Sequence, residues 1–307
     1  MNVLSLFDGI SGGQLSFDKI GIKFDDKDNK YFASEVDKKA IQVTQYNYPN
    51  TVQLGDITLI DGNKLKELPK IDVLIGGSPC QGFSIAGKKL NFEDDRSKLF
   101  FEYVRILNWL KENNNPDIKF LLENVKMTDN IADAIDELLG VKREYIDSRN
   151  FTGMIRKRYY WTNIYIKEYP KKDINIEDII DNENIFDKDI NFLLDRTEYN
   201  PSTSYDGIIT INPRDKKGKQ TWQRGRVYDI KGKCPTICAT LFDLNITKDH
   251  NTYRKFTINE CEKLQGVPKN YTSIIESKVE RGKMLGNGWN IPTIAHILSC
   301  IDSNTTN

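Results

Sequence analysis

The sequence predicts an α/β protein in which a parallel sheet carries helices on both faces, followed by a smaller domain of irregular structure. Two observations support this prediction. Short apolar runs alternate with amphipathic stretches over the first half of the chain, which is the pattern of repeated strand and helix units. Beyond residue 166 the alternation stops, and polar, turn-rich segments follow. The length of 307 residues accommodates two such domains.

Local patterns predict the individual elements. The predicted strands are the apolar runs 3–7, 31–36, 71–75 and 119–123, with a further β-rich run at 158–166. Helical spacing predicts helices at 37–48, where Asp37 is the N-cap, and at 97–113 and 131–139. Later, Thr257 and Glu260 form a capping box that opens a helix, and Gly266 closes it. Ligands of parallel sheets bind at the carboxyl ends of strands, so residues that follow strands are candidate site residues.

The composition narrows the class of protein. The chain has 44 Lys and Arg against 44 Asp and Glu, but residues 170–200 hold nine acids and four bases. The basic stretch, residues 214–233, holds eight bases and two acids, which suits a nucleic-acid contact. No apolar run approaches the roughly 18 residues of a membrane span. The five cysteines are unevenly spaced and predict no disulfide framework.

The expected location is the cytoplasm, since the first residues lack a signal-peptide pattern. The chain contains 28 Asn and 36 Ile but only seven Ala, which favours a low-GC bacterial or phage source.

Three features near predicted strand ends favour a ligand that contains adenosine. The glycine-containing turn 7–13 joins a strand to a helix and would let a cofactor approach the backbone, although many such turns bind nothing. Glu35 ends the second strand, where an acid can accept both hydroxyls of a ribose. Asp56 is placed to accept from an adenine amino group.

Cys80 is the candidate nucleophile, because it lies in the glycine-rich loop 76–84 directly after a buried strand. The alternative is a small buried side chain, which we assign to Cys234, Cys238, Cys261 and Cys300. No second Cys or His pair completes a metal site, so no metal is predicted. Neither histidine has a neighbouring motif, which disfavours Cys–His hydrolase chemistry.

A glutamate and a pair of arginines follow Cys80 in the chain, and both could act on an aromatic nucleobase. Glu123 ends the next strand and could engage a ring nitrogen, making an aromatic base electrophilic enough for a thiolate to add. Arg156 and Arg158 are predicted on one face of a strand, where they suit a phosphate or a carbonyl oxygen. The alternative for these arginines is a surface cation pair on an edge strand.

This ordered set resembles the DNA cytosine-5 methyltransferases over nearly the whole chain outside about 167–225. The loop 76–84 is similar to the family's Pro-Cys loop, and 123–125 to its Glu-Asn-Val motif. Residues 254–268 and 286–292 resemble its two last motifs. The resemblance implies a Rossmann-like class I methyltransferase sheet at 1–166, completed by 284–307, and a small irregular target-recognition domain at 167–283.

The resemblance also implies the site residues and S-adenosyl-L-methionine as the cofactor. The catalytic residues would be Cys80, Glu123, Arg156 and Arg158. The cofactor-binding residues would be Phe7, Asp8, Gly9, Ile10, Ser11, Gly12, Glu35, Val36, Asp56, Ile57, Pro79, Leu99, Asn287, Gly288 and Trp289. The DNA-binding residues would be Gln81, Ser84, Arg96, Lys216, Lys217, Lys219, Gln220, Arg224, Arg226 and Thr236. Ser11, Met154 and Met284 depart from the family's usual Gly, Gln and Gln.

The implied activity is methylation of cytosine C5 in double-stranded DNA by a monomer that flips the target base and binds no membrane. Two alternatives remain open. One is a tRNA cytosine-5 methyltransferase, although residues 126–128 lack that branch's Cys-Phe-Thr. The other is a catalytically silent DNA-binding relative, against which Cys80 and Glu123 speak.

Overall fold

The structure is a computed structural model, and it describes residues 1–24, 29–79, 85–86, 89–90, 95–181, 183–189, 203–212 and 225–301. The chain divides into two compact units. The first unit comprises residues 1–147, 157–168 and 293–307, and the second comprises 148–156 and 169–292.

A seven-stranded sheet organises the first unit, in the order β3-β2-β1-β4-β7-β9-β8. Its strands are β1 Asn2–Leu6, β2 Lys30–Ser34, β3 Val52–Gln53, β4 Val73–Gly77, β7 Lys119–Val125, β8 Glu144–Asp147 and β9 Lys157–Thr162. A separate two-stranded pair consists of β5 Ile85–Ala86 and β6 Lys89–Leu90. The helices are α1 Gly12–Lys19, α2 Lys38–Asn47, α3 Gly62–Lys66, α4 Asp95–Asn113 and α5 Asp129–Leu139, with a 3-10 turn at Ile57–Leu59.

The sheet is parallel from β3 to β7 and becomes mixed at its other edge. β9 pairs antiparallel with both β7 and β8. The sequence pattern predicts a parallel sheet throughout and does not mark β8. In β8 only Ile146 is buried, and Tyr145 beside it is largely exposed, so its pattern is too weak to indicate a strand.

Alternate strand residues build the core on one face of this sheet. Leu4, Leu74 and Trp161 of the sheet belong to one buried cluster together with apolar residues of α4 and α5. On the sheet's other face, a Cβ at Gly13 of α1 would lie 2.4 Å from Ile75 Cδ1, so α1 packs directly on β4. Strands that are covered on both faces read as continuous apolar runs, which is why their positions were predictable.

The capping predictions are confirmed. The Asp37 side chain accepts from Lys39 N and Ala40 N at the start of α2. Thr257 and Glu260 form the reciprocal capping box, and Gly266 ends that helix in the left-handed conformation, with φ 73°.

A six-stranded sheet, in the order β10-β15-β14-β13-β12-β11, organises the second unit. Its strands are β10 Lys188–Asp189, β11 Thr203–Tyr205, β12 Ile208–Thr210, β13 Val227–Asp229, β14 Asn245–Thr247 and β15 Thr252–Lys255. The helices of this part of the chain are α6 Arg149–Thr152, α7 Ile258–Gln265, α8 Lys278–Asn287 and α9 Ile291–Leu298, with a 3-10 turn at Ile176–Asp178. The unit boundary falls inside α9. Strands of two to four residues carry too little pattern to be recognised, so this sheet was not foreseen.

Within the described residues, no helix is long and apolar enough to cross a membrane.

Candidate active site

The turn after β1 is held in an unusual conformation. Phe7, Gly9 and Ser11 all have φ near 60°, in the left-handed region that non-glycine residues rarely adopt. Apart from its chain neighbours, no described residue has an atom within 4 Å of the position a Cβ would take at Gly9. The turn therefore presents open backbone at the carboxyl end of β1, where a cofactor can approach closely.

Glu35 holds this turn in place. Its carboxylate accepts from Gly9 N at 2.7 Å, Val36 N at 2.7 Å and Asp37 N at 2.8 Å. A carboxylate has about four acceptor positions, so the group keeps acceptor capacity for a ribose hydroxyl. Val36, the next residue, is 66% exposed and offers an apolar surface beside it.

Asp8 is a buried carboxyl group in the same turn. Burial raises the pKa of Asp8 to about 6, although hydrogen bonds such as that donated by the Tyr31 hydroxyl at 2.8 Å act to lower it. Its second oxygen, Oδ2, has no hydrogen-bond partner among the described residues. A buried acceptor without a partner is costly, and a ligand group that donates to it would remove that cost. The turn therefore fits a cofactor that carries hydrogen-bond donors.

Asp56 follows β3 and caps the short 3-10 turn. One of its oxygens, Oδ1, accepts from Thr58 N at 2.9 Å and from the Thr58 hydroxyl at 2.8 Å. The Ser34 hydroxyl donates to Gly55 O at 2.7 Å, which fixes the preceding residue against the end of β2. Ile57 is buried next to Asp56.

The ends of β4 and β7 are joined by side-chain hydrogen bonds. Gly77 and Glu123 are register partners in these neighbouring strands. Asn124, which is buried, donates from Nδ2 to Ser78 O at 3.3 Å and to Ser78 Oγ at 3.0 Å. Pro79 is exposed, and Cys80 lies outside the described residues. Asn124 therefore fixes the point from which the predicted nucleophile loop departs.

Glu123 and Arg158 form an ion pair within the first unit. Arg158 Nε lies 3.0 Å from Glu123 Oε1, and both side chains are largely buried. Arg158 also donates from Nη1 to Lys157 O at 2.8 Å. The guanidinium thus orients the Glu123 carboxylate at the end of β7.

Arg156 does not lie on the same strand as Arg158, so that prediction is wrong. β9 begins at Lys157, and residue 156 belongs to the second unit. Pairing with another segment diverts the chain there, since Met154 forms a bridge with Cys234. Arg156 is buried, and its Nη2 donates to Gly288 O at 2.8 Å.

The remaining predicted residues are dispersed. Ile10, Ser11 and Gly12 are buried, Leu99 packs against the core, Asn287 is exposed and Trp289 is half-buried. Arg96 is the second residue of α4, and Arg226 is half-buried. The Thr236 hydroxyl donates to Ile155 O, which is a contact inside the protein. Besides Cys80, the predicted residues outside the described part are Gln81, Ser84, Lys216, Lys217, Lys219, Gln220 and Arg224.

Several residues near the predicted site were not among the predicted site residues. Asn124 was identified as part of the Glu-Asn-Val motif but was given no role, and Tyr31 and Ser34 were treated only as strand residues. Their hydrogen-bond partners are distant in sequence, so no local pattern marks them. Within the part of the chain that the structure describes, no cluster of His, Cys, Asp or Glu could hold a metal ion.

The sheet order, with β9 antiparallel beside β7, and the residues at the sheet's carboxyl edge define a Rossmann-like methyltransferase fold. Solved structures share this fold. The Entamoeba histolytica methyltransferase EhMeth superimposes with a TM-score of 0.71 at 17% identity, over 100% of this chain and 99% of that one. A Spodoptera frugiperda DNMT2 mutant superimposes with a TM-score of 0.63 at 18% identity, over 97% of this chain and 98% of that one.

Sequence comparison identifies the family. The family model for C-5 cytosine-specific DNA methylases matches residues 1–134 and 140–303. Type II methyltransferase M1.ScrFI of Lactococcus lactis subsp. cremoris is 31% identical over 95% of this chain and 75% of its own length. Type II methyltransferase M.Bsp6I of Bacillus sp. (strain RFL6) is 29% identical over 97% of each chain. The chain belongs to the C-5 cytosine-specific DNA methylase family and is a DNA cytosine-5 methyltransferase.

The family assignment confirms the resemblance that the sequence motifs indicated, and with the fold it implies S-adenosylmethionine as the methyl donor and DNA as the substrate.

Proposed function

We propose that this enzyme methylates C5 of a flipped cytosine in a specific duplex DNA sequence through a covalent adduct with Cys80. The observation that carries the proposal is the pairing of β4 with β7. Gly77, three residues before Cys80, is the register partner of Glu123. Asn124, the residue after Glu123, donates a hydrogen bond to Ser78, the residue after Gly77. The nucleophile loop therefore starts beside the carboxylate that would act on the same base.

The turn 7–12 would hold the cofactor together with Glu35, Val36, Asp56 and Ile57. Glu35 would accept from the ribose hydroxyls, and Asp8 Oδ2 would accept from a donor of the cofactor, because each keeps acceptor capacity. S-adenosylmethionine supplies the methyl group when it is bound. Predicted contacts from Pro79, Leu99 and residues 287–289 complete the proposed cofactor set.

The chemistry of the base then falls to Cys80 and Glu123. C5 of cytosine is a weak nucleophile, and addition of the Cys80 thiolate at C6 turns C5 into the nucleophilic end of an enamine. Glu123, oriented by Arg158, would donate a proton to N3 and accept from the exocyclic amine, so that the electrons pushed into the ring are taken up at a protonated N3. Loss of the C5 proton after methylation, followed by departure of the Cys80 thiolate from C6, restores the aromatic ring.

DNA recognition is proposed for the second unit. The basic stretch carries lysines that would neutralise phosphates, while Gln220, Arg224 and Arg226 would read base edges. Gln81 and Ser84, which follow Cys80 in the chain, and Arg96 at the start of α4 would contact the DNA around the flipped nucleotide. The relatives named type II methyltransferases support a role in DNA modification. The target would be one specific sequence, and the enzyme would work as a monomer.

Methyl transfer by the Cys80→Ala variant tests the proposal. The wild-type protein is incubated with tritiated S-adenosylmethionine and, separately, duplex DNA and tRNA. We expect label in DNA, none in tRNA, and loss of transfer in Cys80→Ala, whereas the matched variant Cys238→Ala keeps wild-type transfer. Undiminished transfer by Cys80→Ala would refute the mechanism. Label in tRNA instead of DNA would show that the substrate is tRNA and not DNA.

A further inference from the structure

We propose that Arg156 is a positioning residue for the segment Asn287–Gly288–Trp289, and that it does not contact DNA. The inference rests on the proposed function, because the cofactor role of residues 287–289 is itself proposed. It assigns Arg156 a different partner from the base carbonyl or phosphate that the sequence suggested.

The burial of Arg156 carries the first step. The residue is only 3% exposed, and its Nη2 donates to Gly288 O at 2.8 Å. Removing a guanidinium from water costs free energy, which hydrogen bonds to acceptors inside the protein offset in part. A phosphate contact needs a side chain that solvent-exposed DNA can reach, and Arg156 is turned to the main chain instead.

The location of Gly288 gives the second step. Gly288 directly follows α8, whose last turn holds no basic side chain of its own. The carbonyl groups at a helix C-terminus lack intrahelical donors and carry partial negative charge, which a cation stabilises. Arg156 supplies that cation to the end of α8 from another part of the same unit.

Neighbouring side chains fix the rest of the segment. Gln265 donates from Nε2 to Leu285 O at 2.7 Å and to Gly288 O at 3.4 Å. Asn290 donates to Thr152 Oγ1 at 2.8 Å and to Leu264 O at 3.2 Å. Gln265 therefore holds the main chain of residues 285 and 288, while Asn290 anchors the residue after Trp289 to two other segments. The set holds the main chain still and leaves the Asn287 side chain exposed and Trp289 half-buried.

The backbone that carries Arg156 is fixed as well. Ile155 N donates to Cys234 O at 2.8 Å, and Cys234 N donates to Gly153 O at 3.0 Å. Ser148 N donates to Arg156 O at 3.1 Å. The fixed backbone leaves only the side-chain torsions of Arg156 to be ordered, and burial restricts these, so its contact with Gly288 can set the position of that residue.

Binding measurements on Arg156→Lys and Arg156→Gln test the proposal. S-adenosylhomocysteine binding is measured by calorimetry, and binding to a mixed-sequence duplex is measured by anisotropy at several salt concentrations. Losing one charge-assisted hydrogen bond predicts cofactor binding weaker by on the order of tenfold in Arg156→Gln, with partial rescue in Arg156→Lys. The KM for S-adenosylmethionine should rise in parallel, while DNA affinity and its salt slope stay unchanged.

Two further variants separate positioning from general instability. Gln265→Met removes the other donor to Gly288 and should weaken cofactor binding in the same way. Arg149→Lys disturbs the ion pair with Asp206 in the same unit, at 2.6 Å, and should leave cofactor binding unchanged. Circular dichroism and thermal melting of all variants are recorded alongside.

Three results would overturn the assignment. A DNA salt slope reduced by about one, with cofactor binding intact, would make Arg156 a phosphate contact. If Arg156→Gln binds S-adenosylhomocysteine and DNA as the wild type does, Arg156 has no positioning role. If the variant loses affinity for both ligands equally and is also less stable, the role of Arg156 is purely structural. Failure of the wild-type protein to bind S-adenosylhomocysteine would instead contradict the proposed cofactor site.

Discussion

Replacing Asp8 by Asn should stabilise the protein at neutral pH and weaken cofactor binding. Burial raises the pKa of Asp8 from 3.8 to about 6, so the folded protein binds this proton more tightly than the unfolded chain does. The stability associated with the protonated carboxyl is fully present below the unfolded pKa and is lost as the pH rises through 6. The shift corresponds to about 3 kcal/mol at pH 8. Asn avoids this loss because it stays neutral.

The substitution should keep the hydrogen bond that the Tyr31 hydroxyl donates to this side chain. Asn keeps an oxygen to accept from the Tyr31 hydroxyl, and its amide nitrogen takes the place of Oδ2, which has no partner among the described residues. We therefore expect the free energy of unfolding of Asp8→Asn to exceed that of the wild type by up to about 3 kcal/mol at pH 8. At pH 5 the difference should be roughly half as large. S-adenosylhomocysteine should bind more weakly, because a carboxylate acceptor is lost.

Urea and thermal unfolding between pH 5 and 8 measure this difference. Asp61→Asn is the matched control, because Asp61 is an exposed helix cap whose pKa is held low, chiefly by the hydrogen bond from Lys64 N. Its effect should not change over this pH range. A stability difference for Asp8→Asn that is independent of pH, or a variant less stable than the wild type at pH 8, would refute the reasoning.

Three other predictions concern single contacts. Asn124→Ala should lower the rate of methyl transfer by about tenfold through the freed nucleophile loop, whereas Asn163→Ala, which loses two hydrogen bonds near the other end of β7, should leave the rate unchanged in the same tritium assay. Gly286→Ala should destabilise by about 2 kcal/mol or more in thermal melts, since its Cβ would lie 2.2 Å from a backbone carbon, while Gly62→Ala, with 3.4 Å of clearance, should not destabilise. Replacing Lys216, Lys217 and Lys219 by neutral residues should reduce the slope of log affinity for DNA against log salt concentration by up to about three. An unchanged slope would show that the basic stretch does not contact DNA.

Local features of the fold were predictable, and contacts between distant residues were not. The N-terminal caps of α2 and α7 depend on residues two or three positions apart, so the sequence displays them directly. The central strands of the first sheet were predictable because burial on both faces makes them continuously apolar, whereas β3 and β8 at its edges were not. The direction of β9 depends instead on which strand it joins, and no pattern within β9 records that.

The same distinction applies to the candidate site. Glu35 and Glu123 were identifiable because each follows a largely apolar run of residues. The hydrogen bonds of Asn124 to Ser78 and of Arg156 to Gly288 span 46 and 132 residues, and they form only once the fold is complete. Arg156 shows the consequence, because its spacing from Arg158 suggested a shared strand face while its backbone pairs elsewhere.

Trapping of the covalent adduct tests the central claim most directly. A polymerase can build a duplex with 5-fluorocytosine at every cytosine, so that the unknown target sequence is included. Fluorine at C5 cannot leave as the proton does, so the Cys80 bond to C6 should persist after methyl transfer. We predict a denaturation-resistant complex with the wild-type protein and S-adenosylmethionine, linked through Cys80, and none with Cys80→Ala. Methyl transfer to ordinary DNA without any adduct, or an adduct formed by Cys80→Ala, would contradict the account.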